Sequence, residues 1–370
     1  MAGPLAGLRI VELAGLGPGP FAAMMLADHG AEVIRVERAG MLGVTGDPLL
    51  RNRRSISLDL RDDKARDVVR RLAATADGLI EGFRPGVMER LGLGPDLLLA
   101  GNPKLVIGRV TGWGQEGPLA AEAGHDIDYL ALTGLLHAIG PSDGPPVPPL
   151  NLVGDYAGGG MMLAFGMVAA LLAVQRGGAG QVIDVAMSDG AALVGALIYV
   201  LKAAARWTDR RGANLLDGGY PLYGCYECSD GKFVAVGAIE PQFRWAFLKG
   251  LRLEADPLFE ANDWPAQKQR IADVLRIRSR DDWVEHFAGK DACVAPVLSL
   301  AETPGHPHNV ARGTFIDVGG VIQPAPAPRF AEPTAHPTPP RREGEDGSTI
   351  LTELGYGADE IADLLGAAAP

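Results

Sequence analysis

The chain has 370 residues, 45 acidic against 34 basic side chains, and a net charge of −11. That length favours two domains over one, and the acidic balance argues against a broad nucleic-acid or anionic-membrane surface. Three cysteines are too few for a disulfide framework and fit a reducing, cytoplasmic compartment.

MAGPLAGLRIVELAG carries one basic residue and runs into a strand over 8–14, unlike a secretory leader. A helix over 20–30 and a strand over 31–37 follow. A second helix over 62–77 precedes a strand over 78–83, and 103–114 repeats the strand-then-loop pattern. Such alternation predicts an α/β fold with a largely parallel, helix-covered sheet. Two long apolar helices are expected over 156–176 and 188–206, separated by a strand over 181–187. AGGGMMLAFGMVAALLAV (157–174) approaches membrane-spanning length, but its many small residues favour a helix packed inside the protein. From about Tyr220 the texture changes. YGCYECSDGKFVAVGAIE (223–240) reads as a hairpin around an SDG turn, and helices continue to about 290. The proline-rich run 321–347 reads as an extended connector, and 359–369 as a last helix. There is no internal repeat.

The loop GLGPGP (15–20) lies between a strand and a helix, where phosphates are often cradled. Pro18 and Pro20, however, remove backbone donors that a dinucleotide loop needs. Glu37 imitates a ribose-binding acid but is flanked by Arg35 and Arg38. Arg35, Arg38 and Arg84 fall at predicted strand ends, with Arg51, Arg53, Arg54, Arg61 and Lys64 nearby in sequence. Arginine suits an anionic pocket because its rigid fork of donors matches phosphate oxygens; the spacing fits ordinary surface arginines equally well. In CYEC the thiols of Cys225 and Cys228 fall on opposite faces of a strand, which argues against a metal or redox pair.

His125 and Asp155, with Glu240 after an apolar strand, are acid–base groups at predicted element ends. Asp155, ahead of a small-residue stretch, is expected where helix-end amides favour its charged form. Glu240 either caps local amides or serves a site.

The ordered motifs GPGPFAAMMLADHGAEVIRVE, RNRRSISLDLR, LIEGFRPGVMERLGLGP, TGWGQEGP, AGHDIDYLALTG, NLVGDYAGGG, RGANLLDGG, VAVGAIEPQF and DACVAPVL resemble the type III CoA-transferase (CaiB/BaiF) superfamily, and within it the α-methylacyl-CoA racemases. The resemblance spans residues 5 to about 330. It implies a Rossmann-like large domain over 1–200, a linker over 201–224 and a small α+β domain over 225–320. A proline-rich returning linker over 321–346 and a C-terminal segment over 347–370 complete it. It further implies an interlocked homodimer with each active site between subunits, no metal and no cofactor, CoA being part of the substrate.

Carried over residue by residue, the resemblance makes His125 and Asp155 the catalytic acid–base pair and Glu240 the support of His125. It makes the backbone N–H of Asp126 an oxyanion donor. CoA contacts fall on Arg38, Leu58, Asp59, Leu60, Arg61, Arg84, Gly124, His125, Asp126, Ile127, Asp128 and Tyr129. Asp128 is a departure, since the family pattern has Asn there. The implied reaction is 1,1-proton transfer on a 2-methylacyl-CoA thioester through an enolate. The alternatives are a CoA-transferase forming an acyl anhydride at Asp155, which needs no His125, and a non-catalytic CoA-ester binder. Met161, Met162 and Met187 are candidates for an adaptable apolar surface or for the core.

Overall fold

The computed structural model describes residues 3–40, 46–332 and 334–366. It opens with β1 (Arg9–Leu13), α1 (Pro18–Asp28), β2 (Glu32–Glu37), β3 (Arg53–Ser57), α2 (Asp63–Thr75) and β4 (Gly78–Glu81). Short helices α3 (Val87–Arg90) and α4 (Pro95–Gly101) lead to β5 (Val106–Thr111), α5 (Asp126–Leu132) and α6 (Leu135–Ala138). A π-helical segment, Leu152–Met161, runs into α7 (Met162–Gln175), then β6 (Gln181–Ala186), α8 (Met187–Val194) and α9 (Ala196–Ala203). The rest comprises β7 (Tyr223–Glu227), β8 (Phe233–Gly237), α10 (Pro241–Leu251), α11 (Trp264–Leu275), α12 (Arg280–Phe287) and β9 (Val294–Val297). Last come α13 (Pro307–Arg312), β10 (Phe315–Val318), β11 (Val321–Pro324), α14 (Gly347–Glu353) and α15 (Ala358–Gly366).

The chain divides into two compact units. The first holds Met1–Thr133, Leu150–Val194 and Val310–Pro370; the second holds Gly134–Pro149 and Gly195–Asn309. The β10–β11 hairpin therefore belongs with the first unit, although 225–320 was expected to form one small domain. Arg51 supplies the reason: it donates to Gln323 Oε1 and the Pro324 carbonyl at 2.8 Å each while pairing with Asp28.

In the first unit six strands form a parallel sheet in the order β3-β2-β1-β4-β5-β6. Alternation along each strand sends side chains to two cores. Val11, Leu13, Ile34 and Ile56 pack against α2, α4, α14 and α15, whereas Ile10, Val33 and Ile80 pack against α1, α5 and α7. β3 was not anticipated: no element was expected over this arginine-rich stretch. It forms an edge strand since Arg53 finds a buried partner: its Nη1 lies 2.7 Å from Glu12 Oε2, and Glu12 also takes Arg35 Nη1 at 2.7 Å.

The predicted helix over 156–176 begins earlier, at Leu152, and that over 188–206 is broken at Gly195, where the chain passes to the second unit. The triple glycine at 158–160 serves close packing. Added Cβ atoms at Gly159 and Gly160 would meet Pro18, Phe21 and Met187, and at Gly190 a Cβ would lie 1.9 Å from the Gly158 carbonyl oxygen. Only one face of α7 is buried, contrary to a fully enclosed helix: Leu163, Met167 and Leu171 are covered, while Phe165 is 74% exposed beside exposed Val168 and Leu172.

The second unit pairs β7-β8-β9 as an antiparallel sheet, against which α10, α11 and α12 bury Phe247, Ile271 and Trp283. The expected hairpin is present. Cys225 is exposed and Cys228 buried, as opposite strand faces require. The last helix ends at Gly366; residues 367–369, also expected in it, lie outside the described residues.

The Gly158–Gly190 crossing yields a stability prediction. Gly190→Ala sets a Cβ against backbone that cannot rotate away, and the variant is expected to lose about 1–3 kcal/mol or more. Gly101→Ala, whose Cβ meets nothing within 4 Å, is expected to be neutral to slightly stabilising. Urea-unfolding midpoints of the two variants check the contrast.

Candidate active site

The strand order reverses between β1 and β4, because β1 continues through α1 to β2 on one side while β4 and β5 lie on the other. Parallel sheets offer their ligand crevice at the carboxyl ends of such strands. A pocket of about 250 Å3 opens there, lined by Leu13, Gly82, Arg84, Thr111, His125 and Tyr129 among others. A second recess of about 360 Å3 lies over the ends of β2 and β3, lined by Arg38, Leu58, Asp59, Leu60, Arg61 and Phe83. Of the predicted CoA contacts, Arg84, Gly124, His125 and Tyr129 line the first recess and Arg38, Leu58, Asp59, Leu60 and Arg61 the second. Asp126, Ile127 and Asp128 line neither; the segment 82–84 borders both.

His125 caps α5. Its backbone is extended, and its N–H donates to Asp128 Oδ2 at 3.0 Å. Asp128, the departure from the family pattern, therefore closes the first helical turn, where an acid is favoured; an Asn oxygen accepts in the same way. On the other side, the Tyr129 hydroxyl donates to the Gly124 carbonyl, and the Tyr129 ring stands edge-on to Trp113 at 4.8 Å. Gly112 and Gly124 leave room for that ring, since a Cβ on either would lie 2.0 and 2.7 Å from it. His125 is held by these contacts at the pocket wall while α5 directs its first amides, Asp126 and Ile127, out of the helix without intrahelical acceptors. Ile127 and Asp128 are exposed; Asp126 is buried.

Asp155 sits in the first turn of the π-helical segment, not ahead of a helix. Its N–H donates to Asp126 Oδ2 at 2.7 Å, and Asn151 Nδ2 donates to its Oδ2 at 3.1 Å. Gly17, with φ +67°, approaches so closely that a Cβ would stand 3.1 Å from the same oxygen. The expectation that helix-end amides favour its charged form is overturned. Burial pushes the Asp155 carboxyl above its ordinary range; Asn151 opposes the shift, the Asp126 carboxylate adds to it, and the charge of His125 opposes it. The acid and the imidazole are thus electrostatic neighbours.

The arginines separate by their partners. Arg35 is buried against Glu12 and Glu37 and is not part of an anionic pocket, because alternation places it on the covered face beneath α1. Arg51 and Arg53 are likewise buried, against Asp28 and Glu12; Arg54 pairs with Glu32 and Glu353, Arg61 with Asp59, and Lys64 with Asp363. Among the described residues, Arg38 and Arg84 are exposed pocket-lining cations without an ion-pair partner.

Glu240 belongs to the second unit. It occupies the N-cap position of α10 without a side-chain capping bond and is exposed, so the local-capping alternative does not account for it. The bond between the Asp126 side chain and the Asp155 N–H was not anticipated: sequence reasoning took Asp126 as an oxyanion donor through its backbone and as a CoA contact. The glycine directly before Asp155 was the available signal, since Gly154 permits the contact. Among the described residues, no group of three His, Cys, Asp or Glu is disposed to hold a metal.

A pH prediction follows from the raised Asp155. Its folded value lies above the ordinary 3.8, so its contribution to stability is complete below that value and is lost as pH rises through the folded one. Asp155→Asn is therefore expected to raise the melting temperature at pH 7, with the gain vanishing at and below about pH 4. Thermal melts of both proteins between pH 4 and 8 check it.

The description "CoA-transferase family III" matches residues 5–346. The chain is 47% identical over 367 residues to the Mus musculus protein named alpha-methylacyl-CoA racemase, covering 97% of this chain and 96% of that one. It is 45% identical to the Homo sapiens protein of the same name, with the same coverage. The crystal structure of a CAIB/BAIF family protein from Brucella suis superposes with a TM-score of 0.81 at 27% identity, over 96% of this chain and all of that one. With a match over nearly its whole length and relatives 47% and 45% identical over 97% of it, the chain belongs to CoA-transferase family III.

Proposed function

We propose that the chain is an α-methylacyl-CoA racemase, interconverting (2R)- and (2S)-2-methylacyl-CoA thioesters by cofactor-independent 1,1-proton transfer. The observation that carries this is the electrostatic pairing of His125, which lines the crevice, with a half-buried Asp155 of raised basicity; the mouse and human relatives of that name support it. Inverting an α-carbon requires a base on one face and an acid on the other. A thioester α-proton is only weakly acidic, and a carboxylate whose affinity for protons is increased removes it better than an ordinary one. Histidine is the other side chain matched to neutral pH. The roles exchange with substrate direction: one group takes the proton of one epimer and the other returns a proton to the opposite face. The enolate oxygen formed between these steps needs a fixed donor, and the outward amide of Asp126 at the start of α5 is suited to it.

In this reading Arg84 serves the pocket beside His125, and Arg38 with Leu58–Arg61 receives the nucleotide end of CoA. The protein works as an interlocked homodimer that brings Glu240 of one subunit to orient His125 of another. The exposed apolar face of α7, with Leu193 and Val194 of α8, supports a second copy as its cover. Three unpaired thiols support a cytoplasmic location. The transferase reading is second, because a half-buried Asp155 carboxylate is also able to accept an acyl group; it leaves His125 without a role.

Proton exchange separates these readings. In D2O, pure epimers followed by NMR are expected to racemise with wild-type protein. His125→Ala is expected to lose racemisation yet exchange the α-proton of the epimer facing Asp155, and Asp155→Ala to exchange only the opposite one. Full racemisation by H125A overturns the two-base mechanism. Modification of Asp155 by hydroxylamine, with CoA appearing on a second carboxylic acid, establishes the transferase instead.

Arg38→Ala and Arg84→Ala are each expected to raise KM for acyl-CoA about tenfold or more while changing kcat little, since a charge-assisted contact to a distant phosphate binds ground and transition states alike. Calorimetric titration with CoA at two salt concentrations checks the assignment. Unchanged binding in both variants removes it.

A further inference from the structure

Asp126 stands at the first helical position of α5, between the N-cap His125 and Asp128. The residue is only 8% exposed, and its Oδ2 accepts the Asp155 N–H at 2.7 Å. The approach depends on Gly154, where a Cβ would lie 2.5 Å from that oxygen and 2.9 Å from the carboxyl carbon. The proton-transfer chemistry above uses the Asp126 amide and leaves its carboxylate unexplained. We propose that Asp126 is a positioning residue for Asp155: its buried carboxylate fixes the Asp155 main chain and sets a second negative charge beside the carboxyl that carries the proton. For its consequence in catalysis this rests on the racemase reading; the contact itself does not.

The surroundings make the charge effective. Asp155 is faced from α5 by His125, Asp126 and Tyr129, and on its own segment by Asn151. From the α1 side it meets the uncharged Gly17. Asp189, the titratable residue of α8, lines a different recess with Arg109 and Asp184. In partly buried surroundings a like charge favours the protonated form of its neighbour, and the same direction is found at Asp155 with Asp126 as a contributor. The bond to the amide adds direction. Because α5 carries His125 and the contact runs from α5 to Asp155, a single side chain sets the spacing between the two proton-transfer groups.

Asp126→Asn separates charge from shape, since the amide oxygen still accepts the Asp155 N–H. In D2O exchange with pure epimers, the variant is expected to exchange the Asp155-served epimer roughly tenfold more slowly, because a weaker base gives a slower transfer. The acid limb of that epimer's pH profile is expected to move to lower pH, with the His125-served epimer affected less. Equal losses for both epimers with an unmoved profile mark a merely structural role and overturn the proposal. A titration of 13C-carboxyl-labelled aspartates, with the Asp155 resonance assigned by Asp155→Asn, gives a reading independent of turnover. Its midpoint is expected to fall in D126N, and an unchanged midpoint overturns the proposal even if the exchange rates move. If wild-type protein exchanges neither epimer, the racemase reading falls while this titration alone decides the role of Asp126. Should D126N not fold, Asp126→Ser keeps an acceptor oxygen and carries the same titration expectation.

Discussion

The site depends on how closely the segment Leu152–Met161 approaches its neighbours. Glycines at 154, 158, 159 and 160 remove side chains from the faces that meet Asp126, α8, Pro18 and Phe21. With backbone almost against backbone, α1, α5 and α8 converge on one stretch of π-helix, a winding that widens the turn and is frequent at functional sites. Asp155 is carried into that convergence. Its burial, its bond to Asp126 and its proximity to Gly17 are consequences of one packing arrangement, and a methyl group at almost any of these glycines disturbs all of them together.

A second arrangement keeps charge away from the crevice floor. Glu12, fully buried in β1, takes Arg35 and Arg53 from β2 and β3, and Arg53 also donates to the Pro20 carbonyl at the start of α1. Buried pairs of this kind are costly to break from one side, since the remaining charge is left without a partner. They anchor the N-terminal turn of α1, and with it the GLGPGP loop whose Leu16 and Pro18 border the pocket. The arginines that remain at the rims, Arg38 and Arg84, are free to meet an anionic ligand because their neighbours in sequence are already satisfied.

The same desolvation that raises the Asp155 carboxyl disfavours the folded state at neutral pH. A carboxyl with an increased affinity for protons and a half-buried carboxylate that is costly to ionise are one physical fact. Sites that hold groups in such states draw their support from the surrounding structure, here the glycine crossing, the Asn151 donor and the cap of α5.

Much of this was legible in the chain itself. Alternating apolar periods mark β1, β2, β4 and β5 and the helices between them, the SDG turn marks the β7–β8 hairpin, and long ordered motifs mark the family, from which His125, Asp155 and Glu240 are expected as site residues. These are local signals, carried by neighbouring residues. What sequence alone could not decide is which charged residues pair. Arg35 and Arg38 look alike in RVERA, yet strand alternation buries Arg35 against Glu12, while Arg38 lies exposed just beyond the end of β2. RNRRS shows no strand period of its own, and the strand there is held by the pairing of Arg53 with Glu12. Asp155 looks like a helix-end anion until Asp126 and the bulk of the unit remove its water. Burial and ion pairing are set by partners distant in sequence, so only the tertiary structure determines them.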